Sequence, residues 1–330
     1  MSEVHPGVSP TSSSSFRRAS STGVLSDKPI WDRDGRDWPN HDASRFVHAG
    51  GLRWHVQQMG QGPAALLLHG TGAATHSWRG LAPLLAERFT VVAPDLPGHG
   101  FTEAPGDAGL SLPGMARLLD ALLTELDLRP AVGIGHSAGA AILLRMTLDD
   151  LIAPKLIVSL NGALLPFRGF AGQIFAPIAK LLFANWLVPR LFAWRAGDRA
   201  TVERLLRDTG STLEPEGVEL YRRLAGSPGH VAAALGMMAN WDLETLERDL
   251  PRLQTPLLLV VGDRDGTVPP SEADLVRARL PSATIETLPG LGHLAHEERP
   301  DLVANLVVQA ARAAGGLPRA RPARRKRSAP

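Results

Sequence analysis

Ala131-Val132-Gly133-Ile134 runs straight into Gly135-His136-Ser137-Ala138-Gly139, and Ala140 to Leu148 continue as a helix-forming run. A strand, a glycine-bracketed serine and a helix in that order predict a tight, strained elbow that pushes the Ser137 hydroxyl out beyond a sheet edge. The flanking glycines let neighbouring backbone pass where a Cβ would clash. The helix start behind Ser137 also favours negative charge that develops there.

Similar apolar runs lie on either side of this stretch. Ala64 to Leu68, Thr90 to Pro94, Lys155 to Leu160, Pro256 to Val261 and Thr284 to Leu288 each end in Gly, Pro, Asp or Asn, with helical-length segments between most of them. That alternation predicts an α/β fold with a mostly parallel central sheet and helices on both faces. Upstream, Arg45 to Val47 and Leu52 to Gln57 flank Ala49-Gly50-Gly51 as a hairpin. About ninety residues separate Leu160 from Pro256, far more than one crossover needs, so a helical segment is inserted there. Within it Ile174, Ile178, Leu182 and Trp186 form one apolar stripe, and Ala200 to Arg207 and Val218 to Leu224 read as further helices. The expected organisation is a leader over 1–28, a core over 29–162 and 246–314, a helical insertion over 163–245 and a basic tail over 315–330, with leader and tail unstructured.

A serine hydroxyl is a poor nucleophile by itself and needs a histidine base oriented by a carboxylate. Both follow later strands. Gly262-Asp263-Arg264-Asp265-Gly266-Thr267-Val268-Pro269 supplies Asp265 as the acid, and Gly290-Leu291-Gly292-His293 supplies His293 as the base. The rivals are Asp263, better placed to hold a turn, and His296, one helical step further on, where a solvated or capping role is expected. Leu68-His69-Gly70-Thr71-Gly72 follows the first core strand, and the backbone N–H groups of Thr71 and Ala138 are the expected oxyanion donors. His69, His136, Asp95 and His99 read as loop-holding groups. The sequence His293-x-x-His296-Glu297 matches neither zinc-protease order, so no metal is predicted. Gly60-Gln61-Gly62 lacks the third glycine of a phosphate-cradling loop, so no cofactor is predicted either.

Composition narrows the classes further. The 330 residues are 44% hydrophobic and 21% charged, which fits a soluble globular chain, and the absence of cysteine excludes disulfides, thiolate metal sites and a thiol nucleophile. Six cations, Arg319, Arg321, Arg324, Arg325, Lys326 and Arg327, crowd the last dozen residues; removing them from a net +2 leaves −4. The body is therefore no nucleic-acid surface, although the tail suits peripheral contact with an anionic membrane. No secretory signal is apparent in the Ser-rich start, and charged and proline residues interrupt the apolar stretch from Gln173 to Trp194 before it reaches a spanning length. A cytoplasmic, membrane-peripheral location is expected.

His69-Gly70, Asp95-Leu96-Pro97-Gly98-His99-Gly100, the serine elbow, the Gly-x-x-Asp-x-x-Val-Pro loop and the final Gly-His occur in the order found in the α/β-hydrolase superfamily, which the chain resembles from Arg45 to Ala310. The resemblance implies an esterase-like serine hydrolase acting on an apolar small-molecule ester, with the insertion as a lid whose Trp186, Trp194, Met237, Met238 and Trp241 line the substrate pocket. Serine at position 137, where aspartate would imply dehalogenase or epoxide-hydrolase chemistry, points to acyl transfer. Upstream, Trp31-Asp32-Arg33-Asp34-Gly35-Arg36-Asp37-Trp38-Pro39-Asn40 resembles a narrower group, the magnesium-chelatase accessory (BchO-like) hydrolases of bacteriochlorophyll biosynthesis. That likeness implies a tetrapyrrole ligand and magnesium chelatase as a partner. It also implies an alternative, a porphyrin-binding accessory role without catalysis. Trp31 and Trp38 read as staples that fasten the leader to the body.

Overall fold

The computed structural model describes residues 27–166 and 187–318. The stripe Ile174 to Trp186, most of the expected leader and the cationic tail from Arg319 lie outside the described residues. Eight strands form one sheet in the order β1-β2-β4-β3-β5-β6-β7-β8. They are β1 (Ser44–Ala49), β2 (Leu52–Met59), β3 (Ala64–Leu68), β4 (Thr90–Pro94), β5 (Val132–His136), β6 (Leu156–Leu160), β7 (Leu257–Gly262) and β8 (Thr284–Leu288). β2 pairs antiparallel with β1 and β4, and every other neighbouring pair is parallel. This is the α/β architecture that the alternation of apolar runs requires.

Two layers of side chains explain why the central strands are apolar throughout. Leu66 and Leu68 of β3 point into a core with Leu119, Leu122 and Leu143, from the helices Leu112–Glu125 and Ala138–Leu148. Ala65 and Leu67, one residue out of phase, enter the opposite core with Trp78, Leu85 and Val307. A strand covered on both faces has no polar phase, whereas β8, at the sheet edge, is exposed at three of its five residues. Each fully buried leucine contributes about 1.5–3 kcal/mol, so the central strands anchor the frame.

The strand expected over Ala131 to Ile134 runs two residues further, through Gly135 and His136, so the elbow turn is shorter than its glycines suggest. The insertion contains a helix, Pro228–Ala239, that the apolar pattern does not announce. It is buried on most sides, so it has no polar face and no stripe. Ahead of β1, residues 27–40 strap across the body. Trp31 packs edge-on against Phe46 and Phe101. Trp38 is buried and its indole N–H donates to Thr75 Oγ1 at 2.9 Å. Lys28 is held by the carbonyls of His99 and Thr102, and its burial lowers the ammonium pKa to about 7. Among the described residues no helix is long and apolar enough to cross a membrane.

Candidate active site

Loops at the C-terminal ends of parallel strands converge on one region, as expected for an open α/β sheet. Ser137 leaves β5 at φ 50° and ψ −118°, a left-handed backbone that costs a non-glycine residue on the order of 1–3 kcal/mol. The surroundings enforce it. A Cβ on Gly139 would lie 2.0 Å from Leu68 O and 2.7 Å from His69 O, and one on Gly135 would lie 2.4 Å from Ala140 N. The helix therefore sits against the ends of β3 and β5, and only glycine on both sides of the serine lets it.

Asp265 follows β7 and His293 follows β8. The imidazole donates from Nδ1 to Asp265 Oδ2 at 2.8 Å, which leaves Nε2 as the unprotonated, basic nitrogen of the neutral ring. Asp265 is fully engaged. Its Oδ1 accepts from the N–H groups of Thr267 (2.7 Å) and Val268 (2.9 Å), and its Oδ2 also accepts from Asn161 Nδ2 at 2.8 Å. Asn161, at the end of β6 with φ 47°, was not anticipated; an Asn-Gly pair directly after a strand is the signal that could have marked it.

Ser137 and His293 face one cavity of about 650 Å³, with Thr71, Ala138, Met238 and Trp241 in its wall. No hydrogen bond within 3.5 Å joins Ser137 to His293. Such contacts are commonly long until a substrate closes the site. The N–H groups of Thr71 and Ala138 donate to no protein acceptor among the described residues, so both are free for an anion. A Cβ on Gly70 would come within 3.0 Å of Ser137 Cβ, which shows how closely the Thr71 turn abuts the elbow.

A sequence profile of the alpha/beta hydrolase family matches residues 65–306. The chain belongs to that family. It is 38% identical over 275 residues to the magnesium-chelatase 30 kDa subunit of Rhodobacter capsulatus, covering 82% of this chain and 95% of that one. The pimeloyl-[acyl-carrier protein] methyl ester esterase of Aeromonas hydrophila is 30% identical over 251 residues, covering 72% of this chain and 91% of that one. An alpha/beta hydrolase fold protein from Burkholderia ambifaria superposes with a TM-score of 0.70 at 25% identity, covering 81% of this chain and 98% of that one.

In this alpha/beta hydrolase several histidines near the pair, His69, His136 and His296 among them, are buried. His69 donates from Nδ1 to Gly70 O (2.8 Å) and accepts at Nε2 from Leu96 N–H (2.9 Å). His136 donates from Nε2 to His293 O at 3.0 Å. Burial pushes both imidazoles below their ordinary pKa. Burial by itself would raise the Asp95 carboxyl. Its contact with His55 (2.8 Å) and the N–H groups of Thr75 and Phe101 hold it well below the carboxylate range, as a turn-fixing anion. Asp263 accepts from Gly290 N–H at 2.7 Å, a turn contact. His296 is not solvated. It is fully buried against Trp78 and His136, carried inward by the short helix Ala295–Glu298, and that burial lowers its pKa to about 3. Glu297 is likewise turned to Arg79 and Tyr221, so His293, His296 and Glu297 share no ligand position. No group of three or more metal-ligating side chains occurs among the described residues.

The expected pocket residues divide. Met238 and Trp241 line the cavity. Met237 lies behind its wall, fully buried, with its sulfur accepting from Thr71 Oγ1 at 3.5 Å. Trp194 does not line it; at 74% exposure it points to the surface, one helical phase away from the buried Ala193. Trp186 lies outside the described residues. The segment between β6 and β7 also links two loops of the site: Thr209 O accepts from both Gly266 N–H (3.0 Å) and His293 N–H (3.1 Å), so one carbonyl ties the Asp265 loop to the His293 loop.

Proposed function

We propose that this chain is a serine hydrolase, esterase-like, that cleaves an ester bond in an apolar substrate. The observation that carries the proposal is His293, hydrogen-bonded to Asp265, sharing a cavity with a serine at an enforced elbow and two unpaired N–H groups. Ser137 Oγ attacks the carbonyl carbon while its proton passes to His293 Nε2, and Asp265 stabilises the imidazolium. The oxyanion is held by Thr71 and Ala138 N–H. The imidazolium returns the proton to the departing alkoxide, and a water molecule repeats the sequence on the acyl enzyme. The cavity falls within the range of about 300–1,000 Å³ typical of small-molecule sites, and Met238 and Trp241 suit an apolar acyl or leaving group.

Hydrolysis of p-nitrophenyl esters and labelling by a fluorophosphonate test this on the full chain. Both signals are expected in the wild type and neither in Ser137→Ala. Equal signals from the two proteins, or none from either, overturn the reading.

The similarity to a magnesium-chelatase subunit favours a second reading, in which the same cavity holds a tetrapyrrole and the protein assists a magnesium chelatase without hydrolysis. Absorbance titration with protoporphyrin and its magnesium form, together with pathway complementation by Ser137→Ala, separates the two. Full complementation by the alanine variant supports the accessory role, and none supports catalysis on a tetrapyrrole ester.

A further inference from the structure

The helix Pro228–Ala239 reaches the turn that carries one oxyanion donor. His230, 2% exposed, sits in its first turn between two loops. Gly100 N–H donates to His230 Nδ1 at 3.1 Å, and His230 Nε2 lies 3.0 Å from Gly72 O. An amide N–H can only donate and a carbonyl can only accept, so the ring is neutral with its proton on Nε2. Burial, with the nearby Lys28 ammonium acting in the same sense, lowers the imidazole pKa to about 4 and keeps that state across neutral pH.

The turn needs this grip. Gly70 O accepts from Ala73 N–H at 3.2 Å, which makes Thr71 and Gly72 the central pair, with Gly72 at φ 76°. On the Gly70 side the turn is wedged: a Cβ there would come 2.9 Å from His136 Nδ1 and 3.0 Å from Ser137 Cβ. At Gly72 a Cβ would meet nothing within 4 Å, so packing does not restrain that side. What holds it is hydrogen bonding from one helix, through His230 to Gly72 O and from Thr71 Oγ1 to Met237 Sδ. The helix is itself fixed from outside the sheet, since Asp27 O accepts from Gly229 N–H at 2.7 Å and from Ser227 Oγ at 3.0 Å.

We propose that His230 is a positioning residue for the hydrolytic reaction: by donating from Nε2 to Gly72 O it sets the orientation of Thr71 N–H toward the oxyanion. The inference rests on the serine-hydrolase reading and adds a role for the inserted segment, which completes half of the oxyanion site from the side opposite the sheet.

Three substitutions test it through steady-state hydrolysis of a p-nitrophenyl ester, with thermal midpoints measured in parallel. Glutamine carries its amide N–H near the position of imidazole Nε2 and keeps the bond to Gly72. Asparagine carries its oxygen near Nδ1 and keeps only the bond from Gly100. Loss of an oxyanion donor costs about 10²–10³ in turnover, so a misaimed one is expected to cost about 10². His230→Leu is expected to lower kcat about 10²-fold with KM changed less than about threefold. His230→Gln is expected to recover to within about tenfold of the wild type, and His230→Asn to stay with His230→Leu. If His230→Leu does not fold, the Gln and Asn variants alone decide, because a merely structural role predicts that they are equal. Asparagine matching or exceeding glutamine, all variants at wild-type kcat, or a loss confined to KM overturns the inference while an inactive Ser137→Ala leaves the hydrolase reading standing. Wild-type turnover by Ser137→Ala removes both.

Discussion

Asp265→Asn is the substitution whose consequence the hydrogen bonds dictate most tightly. Oδ1 of Asp265 faces two backbone donors, Thr267 and Val268 N–H, which cannot reverse their polarity. The asparagine must therefore place its carbonyl oxygen there, since an amide nitrogen would set donors against donors. Its NH₂ then occupies the position of Oδ2, facing His293 Nδ1 and Asn161 Nδ2. Asn161 can rotate its own amide to offer an oxygen. His293 cannot rotate without leaving the site, and it responds by shifting its proton from Nδ1 to Nε2. In the proposed mechanism Nε2 takes the Ser137 proton, so the base is lost while the side-chain volumes stay the same. A carboxylate-to-amide change that traps the wrong tautomer lowers turnover about 10⁴-fold, a barrier increase of about 5.4 kcal/mol. The assay is initial-rate hydrolysis of a p-nitrophenyl ester across a substrate range, alongside thermal unfolding. kcat is expected to fall about 10⁴-fold, with KM within about threefold, because nothing in the cavity wall has changed. A kcat within tenfold of the wild type, in a preparation where Ser137→Ala is inactive, would refute the tautomer argument and with it the role of Asp265.

Three further outcomes follow from local geometry. Gly139→Ala drives a methyl group into Leu68 O and His69 O, backbone atoms that cannot step aside; a loss of more than about 2 kcal/mol in denaturant stability, with loss of fluorophosphonate labelling, is expected, and a wild-type midpoint would contradict it. Acid should unfold the protein early. His230 and His296 have folded pKa values of about 4 and 3, below the unfolded value of about 6.5, so the unfolded state takes up their protons first. Stability is then full above pH 6.5 and falls as pH drops toward the folded values, by about 2 kcal/mol for each of the two at pH 5. His69, His76, His99 and His136 act in the same direction, and a urea midpoint that stays flat from pH 7.5 to pH 5 would show that these rings are not buried and neutral. Trp241→Ala, in the cavity wall, should raise KM for an apolar ester about tenfold, equivalent to about 1.4 kcal/mol of lost binding, with kcat within threefold; an unchanged KM across acyl chain lengths would take Trp241 out of the binding surface.

Much of this molecule is legible along the chain because local constraints leave marks there. The apolar runs Ala64 to Leu68 and Lys155 to Leu160 declare strands covered on both sides, and they need no knowledge of their neighbours to do so. The glycines at 135 and 139 declare the elbow, since only a backbone without Cβ survives the approach of β3 and the helix. Asp265 and His293 follow strand ends in the Ser, Asp, His order of the α/β-hydrolase pattern. Long-range pairings leave no such marks. Nothing in the local sequence shows that Asn161 reaches Asp265 across 104 positions, or that His230 grips a turn 158 positions earlier. A histidine reads alike whether it is solvated or sealed, and for that reason the sequence suggests a solvated or capping role for His296, which packs against Trp78 instead. The helix Pro228–Ala239 has no stripe because it is enclosed, so periodicity could not announce it, and Trp194 and Trp241 differ only in which side of a helix or loop the fold turns inward. The sequence by itself determined the frame and the three candidate reacting groups, because backbone geometry and burial act over a few residues. The tertiary structure alone decided which side chains hold those groups in place, because a hydrogen bond between distant segments exists only once the sheet has brought their loops together.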